Sequence, residues 1–264
     1  MTINALAIAA TGMKAQQTNL DVIANNIANI NTTGFKRARA EFTDIMYETI
    51  QSHGIARQAG LEVIPEGAKL GIGVKLAAIR DVHVQGVLNQ TGNPFDIAIN
   101  GEGWFQVAAA DGSTIYTRAG AFNLNDQGQL VTLGGNLVQP EITVPVEATK
   151  VTVTQQGQVY AYVDDVSAPV ELGQLTLSRF ANEAGLEPLG NNLFAETEAS
   201  GTATQGTPGS TDFGTLSQGY LEASNVDPMR EIADMISAQR AYEMNSKVIQ
   251  AADEMSSVVT KGIR

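Results

Sequence analysis

Both ends of the chain carry apolar residues at heptad spacing, and the stretch between them does not. From Ile3 to Thr33, Leu6, Met13, Leu20 and Ile27 recur every seventh residue, each followed three positions later by Ala9, Gln16, Ile23 and Ile30. An a/d pattern held over about four heptads predicts one long helix with a seam built to meet another helix. Thr32, Thr33 and Gly34 are placed to stop it, Gly34 being suited to the left-handed conformation that closes a helix. At the other end Ser224, Asn225 and Asp227 offer N-caps ahead of Pro228, which the first helical turn tolerates. Met235, Ala238, Tyr242, Asn245, Ile249, Ala252 and Val259 then fall on one stripe, broadened by Ala241, Val248 and Met255, with no proline or glycine before about Thr260.

Between the helices the period changes from seven to two. Asp96 to Asn100 alternates strictly, Gly101-Glu102-Gly103 turns, and Trp104 to Val107 resumes. Lys150 to Thr154, a turn at Gln156-Gly157 and Gln158 to Val163 read as a β-hairpin. Turn signals at Asp111-Gly112, Asn125 to Gly128 and Gly134-Gly135 separate further short strands. The fold class expected is α+β: terminal helices pairing as a coiled-coil-like shaft, with a central all-β domain of antiparallel strands. The boundaries expected are 1–35 for the first helix, 36–70 for an extended projection or connector, 71–199 for the β domain, 200–224 for a connector and 225–264 for the closing helix. Ser200 to Ser210, rich in Gly, Thr, Ala and Ser, reads as loop.

The 264 residues suffice for a packed core, but aromatics make up only 6%, with Trp104 the single tryptophan, so Ile, Leu, Val and Ala must fill it. The net charge of −12 argues against nucleic acid and anionic membranes as partners. Charge is also unevenly placed. Up to Phe35 only Lys14 and Asp21 are charged, whereas Gln16, Gln17, Asn19, Asn25, Asn26, Asn29 and Asn31 make an uncharged polar surface. Such a surface packs against copies of itself without like-charge repulsion, which suggests helix packing between subunits of a polymer. An intramolecular helical hairpin capping the β domain would satisfy the same pattern.

Chemistry is poorly supported. There is no cysteine, which removes disulfides, thiolate metal sites and thiol nucleophiles together. His53 and His83 stand apart without ligand spacing. Gly71-Ile72-Gly73 and Gly101-Glu102-Gly103 lack the third glycine of a nucleotide-binding turn. Asn123 to Gly128 lacks the glutamate that closes a calcium loop, since its twelfth position is Gly134. Asp164 and Asp165 are adjacent, so on a strand they point to opposite faces. No catalytic residue, cofactor, metal or small-molecule substrate is expected, and no enzyme. No signal peptide is visible, since nothing basic precedes Ile3 to Ala10.

The motif residues add a family. The run Ala24 to Lys36 (ANNIANINTTGFK) resembles the N-terminal motif of bacterial flagellar rod and hook proteins. Gly219 to Val226 (GYLEASNV) and Gln239 to Lys247 (QRAYEMNSK) resemble the closing helix of that family, and the centre agrees at Thr91 to Ile99 (TGNPFDIAI) and Tyr116 to Phe122 (YTRAGAF). Length and the run Arg37 to Tyr47 fit the distal rod members best, the alternatives being a proximal-rod or hook-type subunit. The resemblance implies a helical homopolymer that encloses a secretion channel and transmits torque from motor to hook. Terminal helices would lie inside it and β domains outside, with 40–70 reaching neighbouring subunits. It implies proximal rod proteins, the hook protein, the surrounding periplasmic and outer-membrane ring proteins and the flagellar type III export apparatus as partners, and export to the basal body without a cleaved signal. The self-assembly residues expected are Leu6, Met13, Leu20, Ile23, Asn25, Asn26, Ile27, Asn29, Ile30, Gly34 and Phe35 at one end and Met235, Tyr242, Asn245, Ile249, Ala252 and Val259 at the other. Lys36, Arg37 and Arg39 are expected to pair with acidic residues of adjacent subunits, such as Glu231 or Asp234.

Overall fold

The structure, a computed structural model, describes residues 2–51, 68–109, 111–163 and 168–262. The chain divides into two compact units interleaved along the sequence: Met1–Ile27, Ala38–Arg80 and Pro228–Arg264 form one, and Ala28–Arg37 and Asp81–Asp227 the other. His53, Leu61 and the Asp164-Asp165 pair lie outside the described residues.

The first unit holds both helices, α1 (Thr2–Ala28) and α2 (Pro228–Gly262). They pack antiparallel. A Cβ added at Gly12 would stand 2.9 Å from the Asn245 side-chain amide, and Asn26 donates to Glu231 Oε2 at 3.1 Å. In both pairs the two residue numbers add to the same total, which fixes one register along the seam. Buried along it are Ala9, Ala15, Val22, Ile23 and Asn26 on α1, and Glu231, Ala238 and Ala252 on α2. Glu231, Ala238, Asn245 and Ala252 are spaced by seven, so α2 keeps the heptad read from its sequence. Gly12 on α1 and Ala238 and Ala252 on α2 put small residues on this seam, and at Gly12 the Asn245 side chain occupies the space a Cβ would need.

A β-ribbon completes this unit. Ala38–Asp44 pairs with Val74–Asp81, and Tyr47–Gln51 runs antiparallel to Ala68–Gly71. A two-stranded ribbon is marginal in water by itself. Here it is tied to α1: Val74 N donates to Thr11 Oγ1, and the Asn26 side chain exchanges hydrogen bonds of 2.8 and 2.9 Å with the Ala38 backbone. Within the described part of the 36–70 stretch, 38–44, 47–51 and 68–70 are strand.

α1 stops at Ala28, five residues short of the expected end, and 29–34 is a turn. The run Asn29-Ile30-Asn31-Thr32-Thr33 explains this, because short polar side chains offer the backbone alternatives to the helical ladder. Thr32 bonds Asn29 through both backbone and side chain, at 3.2 and 3.1 Å. Gly34 has φ of +71°, the left-handed conformation expected of it.

The second unit is the β domain. Its main sheet has nine antiparallel strands, with Trp104–Ala108 central, pairing with Thr114–Thr117, Leu137–Gln139 and Leu177–Arg179. The hairpin read from the sequence is present: Ala148–Val153 opposes Gln158–Val163 with Val151 across from Ala161, and Val170–Gln174 adds a third strand. The turn over 125–128 joins Phe122–Leu124 to Leu130–Thr132, as its residues suggest. The core is aliphatic around two aromatics, with Ile97, Ile99, Phe105, Val107, Phe122, Leu175, Leu177 and Leu216 together inside. A second cluster gathers Trp104, Tyr116, Phe180, Leu186 and Phe194. One expectation fails here. Thr204–Gly206, read as loop, is a strand paired with Leu177–Arg179. Of its three residues only Thr204 favours a strand; the Phe213 ring packed over Gly206, where a Cβ would stand 2.2 Å away, holds it by tertiary contact.

Candidate functional site

Two features stand out, the surface of the helix pair in the first unit and a buried ionic junction in the second.

On α1, Leu6, Met13, Leu20 and Ile27 are half-buried, each one residue beyond Ala5, Gly12, Asn19 and Asn26, which lie on the seam register. The step of one residue is about 100° round the helix, so the row flanks the seam and does not centre it. The seam is centred instead on small and amide side chains, which a search for large apolar residues overlooks. Ile23 and Asn26 are buried, Asn25 is exposed, and Asn29, Ile30 and Phe35 are half-buried beyond the helix end. On α2, Met235, Asn245 and Ile249 are half-buried, Ala252 is buried and Tyr242 is 39% exposed. The side chain of Val259 lies outside the described set. α2 also presents a second stripe. Met244, Val248, Ala251, Met255 and Val258 follow a/d spacing, and all five are exposed, Met244 by 61% and Val258 by 68%.

The junction is built from four separate sequence motifs. Glu222 is fully buried. Its Oε1 accepts from Lys36 Nζ at 2.5 Å and from Gly86 N at 2.9 Å, and its Oε2 accepts from Arg118 Nε at 3.1 Å. Arg118 donates further to the carbonyls of Gly103 and Gly101, and Lys36 to that of Val84. Gly34 N donates to the Glu222 carbonyl at 2.8 Å. Asn225 accepts from Arg37 N at 2.7 Å and donates to the carbonyls of Val82 and Val84. Residues 34–37, which leave α1, and 222–225, which lead into α2, are thus fastened side by side. Two glycines make the approach possible: a Cβ at Gly34 would stand 2.9 Å from Ala119 N, and one at Gly86 2.0 Å from the Ala223 carbonyl oxygen.

These contacts correct the pairing between subunits expected of Lys36 and of Glu231. Lys36 is spent on Glu222 of its own chain, Arg39 pairs with Glu41, and Glu231 is buried against Asn26. Burial would raise the Glu222 carboxyl, but Arg118 and Lys36 outweigh that and hold it below the usual carboxylate range. Lys36 is pushed below the ordinary lysine value, by burial first and by the neighbouring Arg118 cation second.

His83 sits beside this cluster. Its ring meets Trp104 edge-on at 5.3 Å and Phe194 at 5.8 Å, and Nδ1 is buried with no hydrogen-bond partner. Burial, then Lys36 and Arg118, lower its pKa from 6.5 to about 4. Trp104 in turn donates Nε1–H to Glu183 Oε1 at 2.9 Å. Among the described residues no group of three or more His, Asp or Glu is placed to hold a metal ion, and no helix is long and apolar enough to cross a membrane. A cleft of about 620 Å³ in the β unit is lined by Thr32, Thr33, Thr117, Leu133 and Asn192 among others, without an ionisable side chain.

Three stretches of the chain match family models. Residues 6–36 match the flagella basal body rod protein family, residues 98–161 the flagellar hook protein FlgE/F/G D1 domain, and residues 217–261 the flagellar basal body rod FlgEFG protein C-terminal domain. The flagellar basal-body rod protein FlgG of Agrobacterium fabrum is 58% identical over 99% of this chain and 100% of its own length. FlgG of Caulobacter vibrioides is 51% identical over 96% of this chain and 97% of its own length, whereas FlgF of that organism is 33% identical over 96% and 95%. The motifs that supply Lys36, Arg118 and Glu222 each fall within one of the three matched segments. With matches from one helix to the other and relatives aligned end to end, the chain belongs to the family of flagellar basal-body rod proteins.

Proposed function

We propose that this chain is a structural subunit of the distal flagellar rod, polymerising into a helical tube that transmits torque and encloses the export channel. The observation that carries it is the second apolar stripe on α2, Met244 to Val258, left uncovered after the intramolecular seam is filled. A helix apolar on two faces needs two neighbours, and the chain supplies one of them. The distal assignment draws support from the fall in identity between the FlgG and FlgF proteins of one organism, from 51% to 33%. The role is mechanical, and the residues that matter are interface residues: Leu6, Met13, Leu20 and Ile27 beside the seam, and Met235, Tyr242, Asn245, Ile249 and Val259 on α2. Partners on this reading are further copies, the proximal rod and hook proteins, the ring proteins around the rod and the type III export apparatus.

Charge follows the two units. The helical unit carries eleven acidic and eleven basic residues, the β unit seventeen and five, so the whole net charge of −12 resides on the β unit. A neutral unit suits the crowded interior of a polymer and an acidic one its wetted exterior.

Deleting the gene and imaging purified basal bodies by electron microscopy tests the assignment. Rods that end short of the outer-membrane ring, with no hook, are expected. A complete rod lacking only its hook would make this a hook subunit, and intact flagella would overturn the proposal.

A further inference from the structure

We propose that His83 is an acid-sensitive release for the junction that fastens residues 34–37 to residues 222–225. His83 Nδ1 is buried without a hydrogen-bond partner, so a proton placed there has no acceptor waiting for it. Trp104 and Phe194 wall the ring. The charged groups that act on it are Lys36 on the segment leaving α1 and Arg118 after Thr114–Thr117; Glu222 on Tyr220–Glu222 pairs with both, and Glu183 lies in the short helix Glu183–Gly185. Glu222 already serves both cations, and Glu183 is engaged by the Trp104 indole. A proton on Nδ1 therefore adds a third positive charge to a buried group that holds one shared carboxylate. The structure relieves that charge by letting solvent in. The contacts given up are those of Lys36 to Glu222 and of Gly34 to the Glu222 backbone, because they hold a short segment at the margin of the unit.

The direction in pH follows from proton linkage. The unfolded chain takes up the His83 proton near pH 6.5 and the folded chain only near 4, so folding weakens as pH falls between those values. Between pH 7 and 5 the ratio of folded to unfolded β unit should drop about twenty-fold from this group alone. Glu222 stays ionised throughout that window, because its carboxyl is held below the usual range.

The experiment uses the full chain. His53→Gln leaves His83 as the one imidazole, whose proton resonance is followed by NMR from pH 7.5 to 3.5. Trp104 emission, sensitive to a protonated imidazole against the indole, follows urea unfolding at pH 7 and pH 5. Amide exchange at residues 34–37, corrected for its intrinsic pH dependence, is read over the same range. An imidazole midpoint below about 5, a twenty-fold loss of the folded ratio and faster exchange at 34–37 are expected, with the loss abolished in His83→Phe. A midpoint near 6.5, exchange at 34–37 that does not change with pH, or the same pH loss in His83→Phe would overturn the proposal. Should His83→Phe fail to fold, the midpoint and the exchange in His53→Gln decide it alone. None of these readouts depends on the chain being a rod subunit.

Discussion

Replacing Glu222 by alanine should be the most damaging single change in the β unit, and the structure says by how much. The carboxylate is 1% exposed, and the side chains it pairs with are 2% exposed for Lys36 and 5% for Arg118. Removing one partner of a buried ion pair costs about 3–5 kcal/mol, because the remaining charge is left uncompensated in a poor dielectric. Here two cations are stranded together, and the Gly86 amide loses its acceptor, a further ~1–3 kcal/mol if water does not reach it. The remaining carbonyl acceptors at Val84, Gly103 and Gly101 offset part of the loss. A net loss of about 4 kcal/mol is expected, against a total stability for such a domain of about 5–15 kcal/mol.

The assay is urea unfolding followed by Trp104, which is fully buried in this unit and the only tryptophan in the chain. A double-mutant cycle isolates the pair. In a Lys36→Met background Glu222→Ala strands one cation fewer, so its cost should shrink by about 1–3 kcal/mol. Glu222→Gln, which keeps the shape and loses the charge, should fall between wild type and alanine. The wild-type advantage belongs to the ionised carboxylate held below its ordinary value, so it is present above about pH 4.5 and lost as pH falls through the folded value. A loss under about 1 kcal/mol for Glu222→Ala, or additivity with Lys36→Met, would refute the reasoning.

Other perturbations probe other contacts. Gly34→Val places a branched side chain at φ +71° with its Cβ against the Ala119 backbone, and should cost the β unit at least ~2 kcal/mol by the same urea assay. Gly12→Leu drives a side chain into Asn245 and should lower the melting of the helical signal by about 1–3 kcal/mol, while Gly12→Ala, which the flexible amide can avoid, should do much less. Met255→Glu should leave the isolated chain within about 0.5 kcal/mol of wild type, because the side chain is 56% exposed, yet exclude it from filaments when co-expressed with the wild type. Incorporation at the wild-type level would remove the α2 stripe from the assembly surface.

Periodicity made the two-helix, one-β-domain plan legible because heptads and alternation are imposed by burial, and burial is what a fold is built on. The α2 seam was readable for that reason. On α1, Ala9 and Ile23 were legible and are buried on the seam, whereas the row Leu6, Met13, Leu20 and Ile27 carries the visible period one residue away from Gly12 and Asn26, which make the close contact through what they lack or through an amide. The strand at Thr204–Gly206 was hidden because its pairing is enforced by Leu177–Arg179 and Phe213, not by its own residues. The junction was hidden for a different reason. Lys36, Arg118 and Glu222 are separated by 82 and 104 positions, and each by itself resembles a solvated surface charge. Only the placement of all three in one buried volume shows them to be structural. The family motifs did contain them, and they occur in motifs that also hold Gly34 and Asn225, residues whose roles are conformational. A basic residue embedded in such a motif, two positions beyond a glycine at positive φ, is better assigned to closing the chain on itself than to a neighbouring subunit. On the function proposed above, the uncovered apolar stripe Met244 to Val258 on α2 is then the surface to test for assembly.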